Sequence, residues 1–218
     1  MRIFLLLSAL ALALAGAEVK RENIEWLDVW LPNSNDHALP RVLLMGDSIT
    51  RGYYSKVEAN LKGRAYVGRL TTSKSLGDPA LLDEVALVLR QIKFDVIHFN
   101  NGLHGRAYTE EEYAAAFPGL IATLRRHAPG ARLIWATTTD VRVARNVEQV
   151  DPVTARVLRR NELTAAMAKR EKIPINDLLA VIKDHPEYHA QDGVHFNETG
   201  SELLARQVAA EVAKLLPQ

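Results

Sequence analysis

Apolar residues along this chain occur in two alternating kinds of segment. Short, almost wholly apolar runs, typical of buried strands, occupy residues 41–46, 65–70, 95–100, 131–138 and, more weakly, 173–179. Longer segments with apolar residues at the spacing of amphipathic helices occupy 80–92, 109–127, 151–172 and 198–216. This alternation predicts βαβ units, and therefore an α/β fold whose parallel sheet has five strands and carries helices on both faces.

Two segments depart from this regular pattern. Pro118 lies inside the third predicted helical region, where a missing N–H predicts a kink or a break. Residues 18–40 precede the first strand and form an appendage in which Trp26 and Trp30 are spaced as one helical face. We expect this appendage to cover the core; the alternative is a lip that binds substrate.

The first 17 residues have the pattern of a secretory signal peptide. Arg2 precedes an uncharged run from Ile3 to Ala17, which ends in small residues suited to cleavage after Ala17. The run is shorter than the roughly 20 apolar residues that span a bilayer, although a retained anchor stays the alternative. We expect a secreted or periplasmic protein with a signal peptide (1–17), the appendage (18–40) and one domain (41–218).

The composition limits the possible partners. A chain of 218 residues, 48% of them hydrophobic, fits one domain with a full core. Lys and Arg total 27 against 26 Asp and Glu, and removing Arg2 with the signal peptide leaves 26 of each. No net field then favours nucleic acid or an anionic membrane, so we expect a small or neutral partner. Cysteine is absent, which excludes disulfides, thiolate metal sites and cysteine nucleophiles.

The first candidate for chemistry is Ser48, in the sequence "VLLMGDSITRG". An apolar strand ends just before Ser48, and a helical pattern begins shortly after it. Ligands of parallel sheets bind at the carboxyl ends of the strands. The N–H groups of a helix that begins there are suited to an oxyanion. The alternative is that Asp47 and Ser48 only cap the helix.

The second candidate is the pair Asp192 and His195, in "QDGVHFNETG". A hydroxyl needs a base to remove its proton, and that base needs a partner that fixes its tautomer. In a tight turn, a carboxylate three residues upstream reaches the ring of His195. The alternative is a simple turn followed by a helix-leading histidine. His185 and His189 are also close, but in a loop, so we expect no metal and no cofactor.

Together these two pieces resemble the SGNH/GDSL hydrolase family of serine esterases. "GDSIT" resembles the block that carries the nucleophile of that family, and "DGVHFNETG" resembles its late D-x-x-H block. The resemblance covers residues 41–216. It implies a flavodoxin-like three-layer α/β/α sandwich with a five-stranded parallel sheet. It also implies a carboxylic ester hydrolase in which Ser48, Asp192 and His195 are catalytic.

The middle blocks of the family match less well. The family supplies a Gly N–H and an Asn amide to the oxyanion hole. The glycine corresponds to Gly77 in "SKSLGDP". The Asn block, G-x-N-D, corresponds to "GLHG", which places His104 where the Asn would be. A neutral imidazole still has one N–H to donate, but its donation depends on protonation. We therefore expect an oxyanion hole of Ser48, Gly77 and His104, with the upstream Asn101 as the alternative donor and Asn100 next to it.

The resemblance and the near-neutral composition lead to one expected function. We expect an exported serine esterase that hydrolyses short acyl esters, above all acetyl esters, on carbohydrates. The expected substrate is a small molecule or a polysaccharide ester. The alternatives are a lipid or lysophospholipid esterase and a non-catalytic carbohydrate-binding relative that keeps the fold. Acyl length, alcohol and oligomeric state stay open.

Overall fold

The computed structural model of this protein describes residues 18–217. Its strands are β1 (Leu27–Trp30), β2 (Arg41–Gly46), β3 (Tyr66–Thr72), β4 (Val96–Phe99), β5 (Arg132–Ala136), β6 (Arg142–Val143), β7 (Asn146–Val150) and β8 (Ile175–Asn176). Its α-helices are α1 (Ser48–Asn60), α2 (Ala80–Gln91), α3 (Glu110–His127), α4 (Val153–Arg170), α5 (Leu178–Ile182) and α6 (Glu198–Ala213). A 3₁₀ turn covers Pro186–Tyr188.

The main sheet has the strand order β1-β3-β2-β4-β5-β8. Strands β3, β2, β4, β5 and β8 are parallel, and β1 pairs antiparallel with β3 at the edge. The order of the five parallel strands confirms the predicted flavodoxin-like arrangement. The chain moves to one side of β2 to form β3 and to the other side to form β4. The crevice beyond the carboxyl end of β2 is therefore the switch point at which ligands bind in such sheets.

Helices cover both faces of the sheet, as predicted. Alternate residues of a strand point to opposite faces, and β2 shows this clearly. Val42 and Leu44 pack in the core formed with α1, α5 and α6, whereas Leu43 and Met45 pack in the core formed with α2 and α3. All four side chains are buried. Because β2 is buried on both faces, its sequence is a continuous apolar run rather than an alternating one.

Helix α3 continues through Pro118 without a break, so the break that the proline suggested does not occur. Pro118 lies on the exposed side of the helix. Water can hydrogen-bond the carbonyl oxygen that the missing N–H leaves free there. A capping box between Thr109 and Glu112 also stabilises the helix start.

The prediction that Trp26 and Trp30 form one helical face is wrong. Residues 27–30 form strand β1, with Leu27 opposite Thr72 and Trp30 opposite Arg69. The open edge of β3 offers backbone hydrogen-bonding groups that a helix would leave unpaired. Within the appendage, pairing with the sheet therefore outweighs the helical spacing of the two tryptophans.

The strand predicted for the fifth apolar run, residues 173–179, is only approximately correct. Its strand, β8, has two residues, and Asp177 then caps the short helix α5 by accepting the N–H of Ala180. The predicted signal peptide, residues 1–17, lies outside the described residues. Within residues 18–217, no helix is long and apolar enough to cross a membrane.

Candidate active site

Ser48 is the first residue of α1 and follows directly on the carboxyl end of β2. Asp47 caps the helix: its Oδ1 accepts the N–H of Ile49 at 2.9 Å. Gly46 packs so tightly against Thr50 that any Cβ at position 46 would overlap the Thr50 side chain. The backbone thus turns sharply from strand to helix. This turn places Ser48 at the switch point, and its N–H is one of the first helical donors, which lack an intrahelical acceptor.

His195 and Asp192 complete a hydrogen-bonded chain that begins at Ser48. The Oγ atom of Ser48 lies 2.8 Å from Nε2 of His195. On the other side of the ring, Nδ1 lies 2.6 Å from Oδ2 of Asp192. The carboxylate can only accept, so the neutral ring carries its proton on Nδ1, and Nε2 is free to accept the serine proton. This arrangement has the geometry of a nucleophile activated by an oriented base.

The turn that carries the acid and the base is built from its own sequence. Asp192 Oδ1 accepts the N–H groups of Val194 and His195, each at 2.9 Å. Gly193 adopts a φ of 76°, a conformation that strongly favours glycine. The spacing D-G-x-H is therefore a local structural unit: one oxygen of Asp192 shapes the turn and the other holds the imidazole.

The β6–β7 hairpin packs against this turn from outside. The N–H of Arg142 donates to the carbonyl of Gly193 at 2.7 Å, and the N–H of Arg145 donates to the carbonyl of Gln191 at 2.8 Å. Arg142 also forms a buried ion pair with Asp140 at 2.6 Å. The hairpin thus fixes the turn relative to the sheet, although no sequence pattern had indicated it.

Two carboxyl groups near Ser48 have shifted pKa values in opposite directions. Partial burial would raise the pKa of Asp192, but the hydrogen bonds from His195 and Val194 outweigh it, and the net pKa lies below the ordinary value. Asp192 therefore stays ionised while His195 works. Burial raises the pKa of Asp47 against the opposing fields of His104 and His195. Its capping role rests on the hydrogen bond that its Oδ1 accepts from Ile49.

A cleft of about 510 Å³ opens beside Ser48. His104 lies in its wall, so the structure brings the predicted histidine donor to the same cleft as the nucleophile. The remaining wall comes from the N-terminal segment, the loop after β4 and the catalytic turn. These lining residues are Lys20, Arg21, Glu22, Asn23, Leu103, Gly105, Arg106, Ala107, Asp192, Val194 and His195. The substrate-lip alternative for the appendage therefore has a structural counterpart at residues 20–23.

Two other predicted donors, Gly77 and Asn101, are not among the described residues that line this cleft. The N–H of Gly77 lies 3.4 Å from the Ser75 hydroxyl. The side chain of Asn101 donates to the carbonyl of Lys74 and accepts the N–H of Leu76, so it holds that loop in place. The role of Gly77 stays a prediction, and the structure brings His104, not Asn101, to the cleft.

The side chain of Asn100 also forms hydrogen bonds within the protein. It donates to the carbonyl of Ala136 at 2.8 Å and to the hydroxyl of Thr138 at 3.1 Å. The two further histidines near the catalytic turn pair with acidic side chains: His185 with Glu187 at 3.0 Å and His189 with Asp140 at 3.6 Å. Within residues 18–217, no three His, Asp or Glu side chains are grouped as metal ligands.

Sequence reasoning missed two residues of this site, Glu22 and Arg160. Glu22 Oε2 lies 2.9 Å from Nδ1 of His104. Arg160 is buried in α4 and donates to the carbonyls of Gly102, His104 and Gly105 at 2.7 to 3.0 Å. For Arg160, a charged residue on the buried face of an amphipathic helix was an available signal. For Glu22 there was none, because its partner is 82 positions away in the chain.

The sequence matches one family model over most of its length. The model describes the GDSL-like Lipase/Acylhydrolase family and matches residues 44–203, which include Ser48, Asp192 and His195. No curated protein matches the sequence.

Solved structures share the fold at low sequence identity. An aryl esterase from M. smegmatis is similar with a TM-score of 0.68 and 17% identity, over 81% of this chain and 100% of the other. A carbohydrate acetylesterase from Sinorhizobium meliloti gives 0.68 and 15%, over 81% and 99%. A carbohydrate esterase family 3 protein from Talaromyces cellulolyticus gives 0.65 and 15%, over 81% and 97%. These likenesses concern the fold.

Proposed function

Since the chain belongs to the GDSL-like lipase/acylhydrolase family and is a carboxylic ester hydrolase, we propose that it cleaves esters through an acyl-enzyme on Ser48. The observation that carries this proposal is the chain of contacts from Ser48 Oγ through His195 to Asp192, 2.8 Å and 2.6 Å long. Ser48, where these contacts begin, lies in an open cleft at the switch point of the sheet.

The first half of the reaction acylates Ser48. His195 Nε2 takes the hydroxyl proton as Oγ bonds to the ester carbonyl carbon, and the carbonyl oxygen becomes an oxyanion. The Ser48 N–H at the start of α1 and the ring of His104 are the proposed donors to that oxyanion. His195 then gives its proton to the leaving alkoxide, the carbon–oxygen bond breaks, and the alcohol departs. Asp192 stabilises the imidazolium that forms in between.

The second half repeats this sequence with water. His195 removes a proton from water, and the resulting hydroxide attacks the acyl carbon. The bond to Ser48 Oγ breaks, and the serine recovers its proton from His195. The products are the carboxylic acid, the free alcohol and the regenerated enzyme.

The direct test removes the nucleophile. Ser48→Ala in the mature chain should lower the kcat for p-nitrophenyl acetate by about 10⁴-fold or more, because the acyl-enzyme cannot form. Ser55→Ala, an exposed position in the same helix, is the matched control and should keep wild-type turnover. A Ser48→Ala variant that is folded and as active as the wild type would disprove the mechanism. An inert wild type would favour the non-catalytic relative.

We further propose that the alcohol part of the substrate is a carbohydrate and the acyl part is short. The cleft wall carries hydrogen-bonding side chains, among them Glu22, Asn23 and Arg106, beside the apolar side chains of Leu103, Ala107 and Val194. Hydroxyl-rich ligands are recognised through such donors and acceptors. The carbohydrate acetylesterase among the similar structures supports this choice.

A substrate panel tests this choice against the lipid alternative. Acetylated xylan and pectin fragments should be deacetylated with a higher kcat/KM than esters of acyl chains with ten or more carbons. Acetate release is the measurement, and p-nitrophenyl acetate normalises for the amount of active enzyme. A preference for long-chain or lysophospholipid esters would instead establish the lipid function.

The protein is also proposed to be exported. The support is the N-terminal pattern of Arg2 followed by the uncharged run to Ala17. Mass spectrometry of protein from the periplasm or medium should find a chain that begins at Glu18. Recovery of the intact chain from the cytoplasm would contradict export.

A further inference from the structure

The loop after β4 forms one wall of the cleft that contains Ser48, since residues 103–107 all line that cleft. Two arginines of α4 bind the carbonyl oxygens of this loop. Arg156 donates to the carbonyls of Arg106 and Tyr108, each at 2.7 Å. Arg160 donates to the carbonyls of Gly102, His104, Gly105 and Tyr108 at 2.7 to 3.3 Å. The loop therefore directs its carbonyl oxygens towards α4.

The N–H groups of the same peptides point away from α4, because the N–H of a planar trans peptide is directed opposite to its carbonyl oxygen. The peptide that joins His104 to Gly105 shows the result. Its carbonyl oxygen binds Arg160, whereas its N–H donates to a carboxylate oxygen of Glu22 at 2.9 Å. The neighbouring peptides whose carbonyls also bind α4 leave three N–H groups without an acceptor among the described residues, those of Leu103, Arg106 and Ala107. The loop thus presents several peptide donors, one of which already binds a carboxylate.

The charged side chains of the cleft wall add to these donors. Three are basic, Lys20, Arg21 and Arg106, and two are acidic, Glu22 and Asp192. Both acids and the first two bases have partners within the protein. Arg106 is exposed and forms no ion pair in the part of the chain that the structure describes. Its planar guanidinium can donate to both oxygens of one carboxylate.

Resting on the proposed esterase function, we propose that the loop from Leu103 to Ala107 and the guanidinium of Arg106 form a subsite for a carboxylate of the substrate. Successive backbone N–H groups beside a cation are suited to an anion, and positive charge in a cleft raises the local concentration of anionic substrates. Because an acetyl group carries no charge, the carboxylate belongs to the alcohol part. The substrate class is then an acetylated acidic sugar, a uronate, rather than a neutral one.

The experiment compares an acetylated oligogalacturonate with the methyl ester of the same oligosaccharide. The methyl ester keeps the sugar and the acetyl groups but removes the negative charge. The kcat/KM for acetate release should be higher for the acid by about tenfold or more, as expected for hydrogen bonds to a charged group. This preference should decrease as salt is added, because salt screens exposed charges. Equal kcat/KM values for the two substrates would overturn the proposal.

Variants at Arg106 test its part in the subsite. Arg106→Gln keeps hydrogen-bonding groups but loses the charge, so it should lose most of the preference, mainly through a higher KM for the acid. Arg106→Lys keeps the charge and should keep more of the preference. The matched control is Arg64→Gln, at an exposed position that precedes β3 and lies at the amino end of the sheet; it should keep the whole preference. A preference that Arg106→Gln leaves intact would contradict the subsite.

A binding measurement separates the subsite from the esterase function. Ser48→Ala cannot form an acyl-enzyme, so both oligosaccharides stay intact while they are titrated into it in a calorimeter. The Kd for the acid should be about tenfold lower than that for the methyl ester, and the double variant with Arg106→Gln should lose most of this difference. Equal Kd values would overturn the subsite even if the wild type is an active esterase. The esterase function fails separately, if the wild type shows no hydrolysis of p-nitrophenyl acetate that depends on Ser48.

Discussion

Gly193 sets the backbone of the catalytic turn. Its φ is 76°, and a Cβ at this position would overlap the carbonyl oxygen of Arg142 in the β6–β7 hairpin. A side chain there must therefore displace either the hairpin or the turn that holds Asp192 and His195. This close approach ties a backbone requirement to the geometry of the catalytic base.

We expect Gly193→Ala to impair both stability and activity. The left-handed conformation alone costs about 1–2 kcal/mol for alanine, and the overlap adds to that cost. Because the turn must move, kcat should fall by at least about 100-fold, as expected when reacting groups shift by about 1 Å. Thermal unfolding and the kcat for p-nitrophenyl acetate are the measurements.

Gly63→Ala is a suitable control for this prediction. Gly63 has nearly the same φ, 74°, but no atom lies within 4 Å of where its Cβ would be. Gly63→Ala should lower the melting temperature through backbone strain alone and leave kcat unchanged. Equal effects of the two variants on kcat would show that the contact with Arg142 has no catalytic importance.

At this scale the sequence predicted residues whose relationships are local. Ser48 follows its strand directly, and Asp192 lies three residues before His195, so each motif contains its own geometry. The contacts of Glu22 with His104 and of Arg160 with the same loop join residues 82 and 56 positions apart. Such pairs depend on how distant elements pack, and a single sequence does not contain that information.

Strand β4 carries an ionisable residue in the core. His98 is fully buried, and its Nε2 lies 3.0 Å from the Nδ2 of Asn176 in β8. Asn176 in turn accepts from Gln207 of α6. Burial lowers the pKa of His98 to about 3. The ring is therefore neutral in the folded protein and accepts the amide proton of Asn176.

This shift makes stability depend on pH in a defined direction. In the unfolded chain His98 titrates near pH 6.5, so between about pH 6.5 and 3 the unfolded state binds a proton that the folded state does not. The stabilisation that the folded protein gains from its neutral His98 is present above that pH window and is lost as the pH falls through it. The slope approaches about 1.4 kcal/mol per pH unit.

His98→Gln should flatten this slope. Glutamine keeps an acceptor for Asn176 but does not titrate, so the variant loses stability at neutral pH and loses less of it on acidification. The free energy of unfolding, measured with urea at several values between pH 4 and pH 7.5, tests this. His37→Gln at an exposed position should keep the wild-type slope; an unchanged slope in His98→Gln would contradict the burial argument.

The long elements that form the core were predicted well, whereas the short helix α5 and the elements that lie on the core were not. The run at 41–46 coincides with β2, and the periodic segments at 80–92 and 109–127 match α2 and α3, because burial dictates their patterns. Strand β1 and the β6–β7 hairpin are largely exposed. They are stabilised by pairing with a sheet edge and a turn, which leaves little trace in hydrophobic periodicity.

Across the whole molecule, residues 18–30 connect the edge of the sheet to the active site. Lys20 pairs with Glu112 of α3, and Arg21 pairs with Asp78 before α2. Glu22 then holds His104, and β1 continues the segment along β3. The proposed cleavage after Ala17 leaves this series of contacts whole, with Glu22 as the fifth residue of the mature chain.

The position of the new N-terminus should therefore control catalysis more than stability. A chain that begins at Asn23 keeps β1 and Trp26 but loses the ion pairs of Lys20 and Arg21 and the hydrogen bond between Glu22 and His104. Exposed ion pairs contribute about 0.2–1 kcal/mol each, so its melting temperature should fall by only a few degrees. Without Glu22, however, the ring of His104 loses its hydrogen-bond partner at Nδ1, and kcat should fall by about 10²-fold or more, as when an oxyanion donor is lost.

The reference for this truncation is a chain that begins at Glu18. A second truncation is needed to separate the contact of Glu22 from the ion pairs of Lys20 and Arg21. A chain beginning at Glu22 loses the pairs of Lys20 and Arg21 but keeps the carboxylate that binds His104, so most of its activity should remain. Melting temperature and kcat, measured for the chains beginning at Glu18, Glu22 and Asn23, test the idea together. If the loss of kcat came mainly between Glu18 and Glu22, the ion pairs of the segment rather than the Glu22 carboxylate would support the site.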